Sequence, residues 1–230
     1  MRIVSWNIEL GRNVAQAAAE IEASDRLRSP DVLLVQEMSP DSVEELAGRL
    51  DLDVRFAAPA VHPATGAPFG NAILSSWPMS ELIESVMPHT AAVMGQERSV
   101  VSAVVTVDGV DVVAHSVHLE TVLLSTRRRV AQVGVVAEAA DRHLFPSFAG
   151  GDFNAASSRS LRKFDEPLYS VGFDRVTDGS MKSFKRFGRD FALDHLYVRD
   201  FSTRAVGVES APTASDHQPI WAELEVALLA

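Results

Sequence analysis

The chain has 230 residues, 47% hydrophobic and 23% charged, with a formal net charge of −10; this suits one globular α/β domain spanning 1–230 and excludes wholesale disorder. The acidic balance argues against a large uniformly basic face of the kind that neutralises duplex phosphates. No cysteine is present, so disulfides and thiolate metal sites are excluded, and any metal must rest on oxygen or imidazole donors, a set that favours Mg2+ or Mn2+.

Residues 2–8 alternate Ile3, Ser5 and Asn7 with Val4, Trp6 and Ile8, the period of a strand, which leaves Asn7 near its C-terminal end. Met1-Arg2 runs straight into this strand, and no segment has the make-up of a signal peptide or a membrane span, so a cytoplasmic location is expected; separately, the chain is expected to be a monomer. Val14, Ala17, Ala18 and Ile21 lie at helical spacing within 13–24. Asp31 to Val35 is a continuous apolar run of the sort buried on both faces, and it delivers Gln36 and Glu37. Ser39-Pro40-Asp41 supplies an N-cap and a first-turn proline for a helix reaching about Leu50.

Strands are expected at about 70–76, 80–86, 98–107 and 110–118, with Asp108-Gly109 as a hairpin turn between the last two. The Pro/Gly-bearing stretch 58–70 reads as a surface loop. A helix over 126–141 precedes a short strand into Gly150-Gly151, and further strands are expected at 192–199, 203–209 and 219–226. Two packed sheets with helices outside fit this order better than one parallel sheet.

The polar residues that punctuate these runs carry the chemistry. Asp152 and Asn154 stand two apart after a Gly-Gly pair, which offers either a carboxylate and an amide side by side or a plain Asx turn. Glu37, at the end of a very apolar strand, calls for a cation or a hydrogen-bonding partner, although taken in isolation an exposed or arginine-paired glutamate is the commoner case. Ser215-Asp216-His217 places a carboxylate beside an imidazole that titrates near neutrality. Asp194 is a candidate to orient His217, while His195, facing the other way, is expected to be structural. His118 shares its strand face with Val112, Ala114 and Ser116, and His115 points to the opposite face as a packing residue. Two basic clusters remain. Arg127-Arg128-Arg129 reads as a solvated helix start, whereas Lys182, Lys185, Arg186 and Arg189, interleaved with Phe184, Phe187 and Phe191, could attract phosphate and stack a base.

In this order, Trp6-Asn7, Gln36-Glu37, His118-Leu119-Glu120, Gly150 to Asn154, Leu193-Asp194-His195 and Ser215-Asp216-His217 resemble the endonuclease/exonuclease/phosphatase superfamily. Its members include pancreatic-type deoxyribonuclease, abasic-site endonucleases, sphingomyelinases and inositol-phosphate phosphatases. The resemblance implies a four-layer α/β/β/α sandwich with its site at one rim of the two sheets. It further implies Asn7, Glu37 and Asp216 as metal-side residues for Mg2+ or Mn2+, and His118 as a phosphate contact. Asp152 and Asn154 would orient the nucleophile and stabilise the transition state, and His217, partnered by Asp194, would be the general base or acid. Asn71 and Arg98 would face substrate; Lys185 and Arg186 are expected to do so on the charge of the basic cluster, not on the resemblance. Abasic-site enzymes commonly carry tyrosine where this chain has His118, which moves it toward the other branches. The expected activity is hydrolysis of a phosphodiester, most simply in a nucleic acid. A phosphomonoester or phospholipid substrate, or a silent binding module, are the alternatives.

Overall fold

Strands buried on both faces must meet an apolar layer on each side, and the alternation within the first two shows which. In the computed structural model, which describes residues 1–63, 65–93, 95–155, 157–186 and 188–227, β1 (Arg2–Asn7) turns Val4 and Trp6 toward helices and Ile3 toward a second sheet. Its neighbour β2 (Val32–Met38) divides Leu33 and Val35 from Val32 and Leu34 in the same way. The first sheet is completed by β3 (Asp53–Val61), β4 (Pro68–Ser75), β13 (Phe201–Val208) and β14 (Ile220–Val226), in the order β13-β14-β1-β2-β4-β3. The second contains β5 (Met79–Val86), β6 (Ser99–Val107), β7 (Val110–His118), β8 (Ser147–Asp152), β9 (Asp174–Arg175) and β12 (Asp194–Arg199), ordered β5-β6-β7-β8-β12-β9.

Between the sheets, Ile3, Leu34 and Ile73 pack on Val101, Ala114, Phe148 and Leu196. On the outside of the first sheet lie α1 (Val14–Ala23) and α2 (Pro40–Leu50), through Ala17, Ile21, Val43 and Leu46. The second sheet is covered by α3 (Thr126–Ala140) and α4 (Ser158–Tyr169), through Val133, Val136, Leu161 and Phe164. The four-layer α/β/β/α sandwich is therefore the observed architecture. As expected, Ser39 caps α2, its side chain accepting from the Ser42 amide, and Asp108 and Gly109 turn the β6–β7 hairpin with positive φ. No helix among the described residues is long and apolar enough to cross a membrane.

Some elements differ from the sequence reading. Within 58–70, residues 58–61 belong to β3 and residues 68–70 to β4, and the two strands pair antiparallel. Helix α4 was not anticipated, because Pro167 inside it argues against a helix on local grounds. Two three-residue strands, β10 (Phe184–Arg186) and β11 (Arg189–Phe191), form a separate hairpin within a segment whose charges masked its alternation.

Each sheet has one central parallel pair, and both pairs end at the same rim. β1 runs parallel to β2 with Asn7 opposite Gln36, and β7 runs parallel to β8 with His118 opposite Asp152. β12 enters antiparallel to β8 so that Asp194 lies opposite Asp152. The carboxyl ends of parallel strands, where backbone pairing stops, are where open α/β sheets present ligand-binding groups.

Candidate active site

Asp152 stands at the centre of this rim. Its Oδ1 accepts the Asn154 amide at 2.8 Å, closing an Asx turn that holds Asn154 in a left-handed conformation at φ 49°. The Asx turn and the side-by-side placement of carboxylate and amide are thus one structure rather than alternatives. The other oxygen, Oδ2, lies 3.3 Å from Asn7 Nδ2, 3.6 Å from His118 Nε2 and 3.7 Å from His217 Nε2. The Gly-Gly pair permits this placement: a Cβ on Gly151 would stand 1.8 Å from the Val117 carbonyl oxygen, and one on Gly150 would strike Leu196 and Leu34.

His217 is fixed on several sides. Its Nδ1 meets Asp194 Oδ2 at 2.8 Å, its backbone amide donates to Ser215 Oγ, and its carbonyl accepts from the Trp6 indole. Ser215 Oγ in turn donates to the Asn7 carbonyl, so the last loop is tied to the end of the first strand. Phe184 lies against the imidazole with ring centroids 4.6 Å apart. Ser183, which no motif had marked, donates to Asp194 Oδ2 at 2.6 Å. Only the local pairing of residues 183–184 with 191–193 and 217 exposes its role, and nothing in its sequence neighbourhood signals it.

These contacts set the charges. Burial opposes protonation of His217, but Asp194 and Asp152 outweigh it and push the imidazole up to about 10. Burial raises the Asp152 carboxyl to about 7, with the His217 charge pulling the other way and Asp194 adding to the rise. Burial, then the Arg98 charge, holds His118 well below the usual imidazole range. Arg98 Nη1 lies 3.1 Å from His118 Nδ1; a guanidinium only donates, so Nδ1 must accept and Nε2 carries the proton that faces Asp152. His195 is structural as expected: it is buried between Thr177 Oγ1 and the Ala192 carbonyl, and burial lowers it to about 4. His115, bonded to Ser102, is likewise a buried packing residue, lowered by burial to about 3.

Glu37 sits at a register shift in β2, at φ 63°, which turns its side chain toward the rim. Its Oε1 lies 3.3 Å from Asn7 Nδ2 and 3.9 Å from His118 Nε2. Asn7 Oδ1 is buried without a hydrogen-bond partner, a costly state that a cation would relieve. The all-oxygen donors therefore fit a hard divalent ion. Among the described residues no group of three or more His, Asp or Glu side chains is placed to hold a metal ion; the Asn7 and Glu37 oxygens would serve an ion such as Mg2+, which usually retains several waters.

A cleft of about 320 Å³ joins these groups, lined by Glu37, His118, Asp152, Asn154, His217 and the exposed Asp216, with Phe184, Phe191, Leu193 and Val122 as apolar walls. Arg186 lines it as well. Lys185 points away from it, being exposed opposite Asp190, and Phe187 lies outside the described residues. Asn71 and Arg98 line a small cavity of about 10 Å³ behind His118 rather than the cleft, and the Asn71 amide is used on the Ser99 carbonyl. Arg129 departs from the solvated-face expectation: Arg127 and Arg128 are exposed, but Arg129 is 3% exposed and packs inward beneath the Asp152 loop.

The fold belongs to a class of α/β/β/α sandwiches that includes phosphoester hydrolases. The model of the Endonuclease/Exonuclease/phosphatase family matches residues 4–217, and the chain belongs to that family, whose enzymes cleave phosphoester bonds and generally depend on divalent metal. No curated protein matches significantly. Among solved structures, an endonuclease/exonuclease/phosphatase from Beutenbergia cavernae superposes with a TM-score of 0.75 at 20% identity, covering 98% of this chain and 71% of that one. The mannosyl-6-phosphatase Bt3783 of Bacteroides thetaiotaomicron gives 0.72 at 18%, covering 98% and 99%. A humanized D. rerio TDP2 gives 0.71 at 17%, covering 98% and 99%. At these identities the likeness shows the shared fold.

Proposed function

We propose that the chain is a Mg2+- or Mn2+-dependent phosphodiesterase that cleaves nucleic acid, preferring unpaired strands to intact duplex. The observation that carries the catalytic reading is the buried series Asp194, His217, Asp152, in which neighbouring charge and burial drive the imidazole and the last carboxyl to values that suit opposite proton-transfer roles. Titratable pairs pushed apart by their surroundings mark acid and base.

Asn7 and Glu37 would hold the ion, with the exposed Asp216 as a further carboxylate at the cleft rim. When bound, the metal supplies Lewis-acid neutralisation of the phosphate oxygens. Asp152, ionised above about pH 7, takes the proton of the attacking water at Oδ2. His217, kept protonated by Asp194, donates from Nε2 toward the phosphoryl and leaving oxygens. Neutral His118 donates from Nε2, and Asn154, one amide hydrogen of which is used on the Leu119 carbonyl, has a second for developing charge.

Substrate preference follows from the cleft walls. Phe184, Phe191 and Val122 offer apolar surface beside Arg186, which suits a splayed base and its phosphate, while the net charge of −10 disfavours extended contact with duplex. The test is initial rates with Mg2+ on matched single- and double-stranded oligonucleotides, RNA, a phospholipid and phosphomonoesters. Single strands should be cleaved fastest, in a salt-sensitive manner. A duplex preference that survives high salt, or turnover confined to lipid or phosphomonoester, would overturn the substrate reading.

A further inference from the structure

Arg129 belongs to a triplet whose first two members are solvated, yet its own side chain runs into the interior between α3 and the Asp152 loop. Its guanidinium carbon lies 5.2 Å from the Phe164 ring centroid. Nε donates to the Leu124 carbonyl at 3.1 Å and Nη1 to the Asn154 carbonyl at 2.7 Å. Among the described residues no carboxylate pairs with it; burial lowers its proton affinity, and the Asp152 charge acts in the opposite direction. A buried guanidinium without an ion-pair partner is unfavourable, so its two carbonyl bonds are what anchor it.

Those two carbonyls belong to the segments that frame the site. Leu124 closes the loop after β7, the same loop whose Leu119 carbonyl receives the Asn154 side-chain amide. Asn154 is thus held at its backbone nitrogen by Asp152 Oδ1, at its carbonyl by Arg129 and at its side chain by Leu119. It needs holding, because a non-glycine residue at φ 49° relaxes readily to the ordinary region once its peptide is released. Relaxation would swing the Asn154 amide away from the cleft.

We propose that Arg129 is a positioning residue of the phosphoester site: it clamps the Asn154 carbonyl, keeps the left-handed turn closed, and so aims the Asn154 amide at the scissile phosphate without touching substrate. The proposal rests on the reading of Asn154 as a transition-state donor. Its bonds predict an effect on turnover rather than on binding, since misaiming a catalytic group by about 1 Å costs on the order of 10²-fold.

The experiment compares Arg129→Met, Arg129→Lys, Asn154→Ala and the Asn154→Ala/Arg129→Met pair on bis(4-nitrophenyl) phosphate with Mn2+, with circular dichroism and thermal melting as fold checks. Arg129→Met should lose about 10- to 100-fold in kcat with KM within about twofold. Arg129→Lys, which keeps the charge but not the two-carbonyl reach, should recover part of that loss. In the Asn154→Ala background, removing Arg129 should cost less than about twofold more, because both changes break one unit. Should Arg129→Met not fold, Arg129→Lys in both backgrounds makes the same comparison. Losses that multiply in the double variant, or an impaired Asn154→Ala beside a fully active Arg129→Met, would overturn the role of Arg129 alone. A fully active Asn154→Ala would overturn the reading of Asn154 and this inference with it.

Discussion

Replacing Asp194 with Asn removes one charge from a buried site while keeping its shape, and the consequence depends on pH. Asp194 Oδ2 now receives His217 Nδ1 at 2.8 Å and Ser183 Oγ at 2.6 Å. Burial opposes protonation of His217, and Asp194 is the strongest of the groups that overcome it to reach about 10. A raised value means that the proton is retained through neutrality and lost only as pH climbs past that point. Without the Asp194 charge, burial persists and only Asp152 and Asp216 still favour protonation, so the imidazole falls from about 10 toward its ordinary range. A fall all the way to the ordinary imidazole value of about 6.5 sets the upper bound: near pH 8 the protonated fraction drops from almost all to about 3%, roughly a thirtyfold deficit or ~2 kcal/mol, and near pH 6 the deficit is under about twofold. The assay is kcat/KM for both proteins on bis(4-nitrophenyl) phosphate between about pH 5.5 and 9.5. The wild type should rise through about 7 as Asp152 ionises and hold until His217 deprotonates near 10; Asp194→Asn should lose the alkaline part of that plateau. The same loss at every pH would mean that Asp194 only orients the ring, and no loss would refute the charge argument altogether.

Chelation should abolish turnover, and Glu37→Gln should weaken it sharply, since on the proposed reading Glu37 and the unpartnered Asn7 Oδ1 would hold the ion; full activity in excess chelator contradicts this. Arg186→Glu should raise KM on single-stranded oligonucleotides more than Lys185→Glu, because Arg186 lines the cleft and Lys185 faces away, and the gap should narrow with added salt. Equal effects would place the positive patch, not the cleft residue, in control. Gly151→Ala should destabilise the fold by about 2–3 kcal/mol, as overpacking against an unyielding group does, because its Cβ would overlap the Val117 backbone oxygen. An unchanged melting temperature would show that β7 and β8 separate more easily than their pairing suggests.

Strand periods, turn residues and the Ser39 cap are local properties, and they made most elements legible from residue order alone, together with the polar groups that end them. Asn7, Glu37, His118, Asp152, Asp194 and His217 stood out because each interrupts or closes a run that should otherwise be apolar. Where charge or proline overrode the local pattern, as in β3, α4 and the Phe184–Phe191 hairpin, the elements stayed hidden. Convergence was not local at all. Asn7 and Asp152 are 145 positions apart and Trp6 and His217 are 211, and only the two parallel pairs and the β8–β12 register bring their strand ends to one rim. Burial was equally a tertiary property: it made Arg129 an interior anchor, turned Asn71 and Arg98 away from the cleft, and let Asp194 and Asp152 hold the His217 proton. Residue type supplies donors, acceptors and ordinary proton affinities, whereas the distances and desolvation that shift those affinities exist only after the sheets have paired and packed.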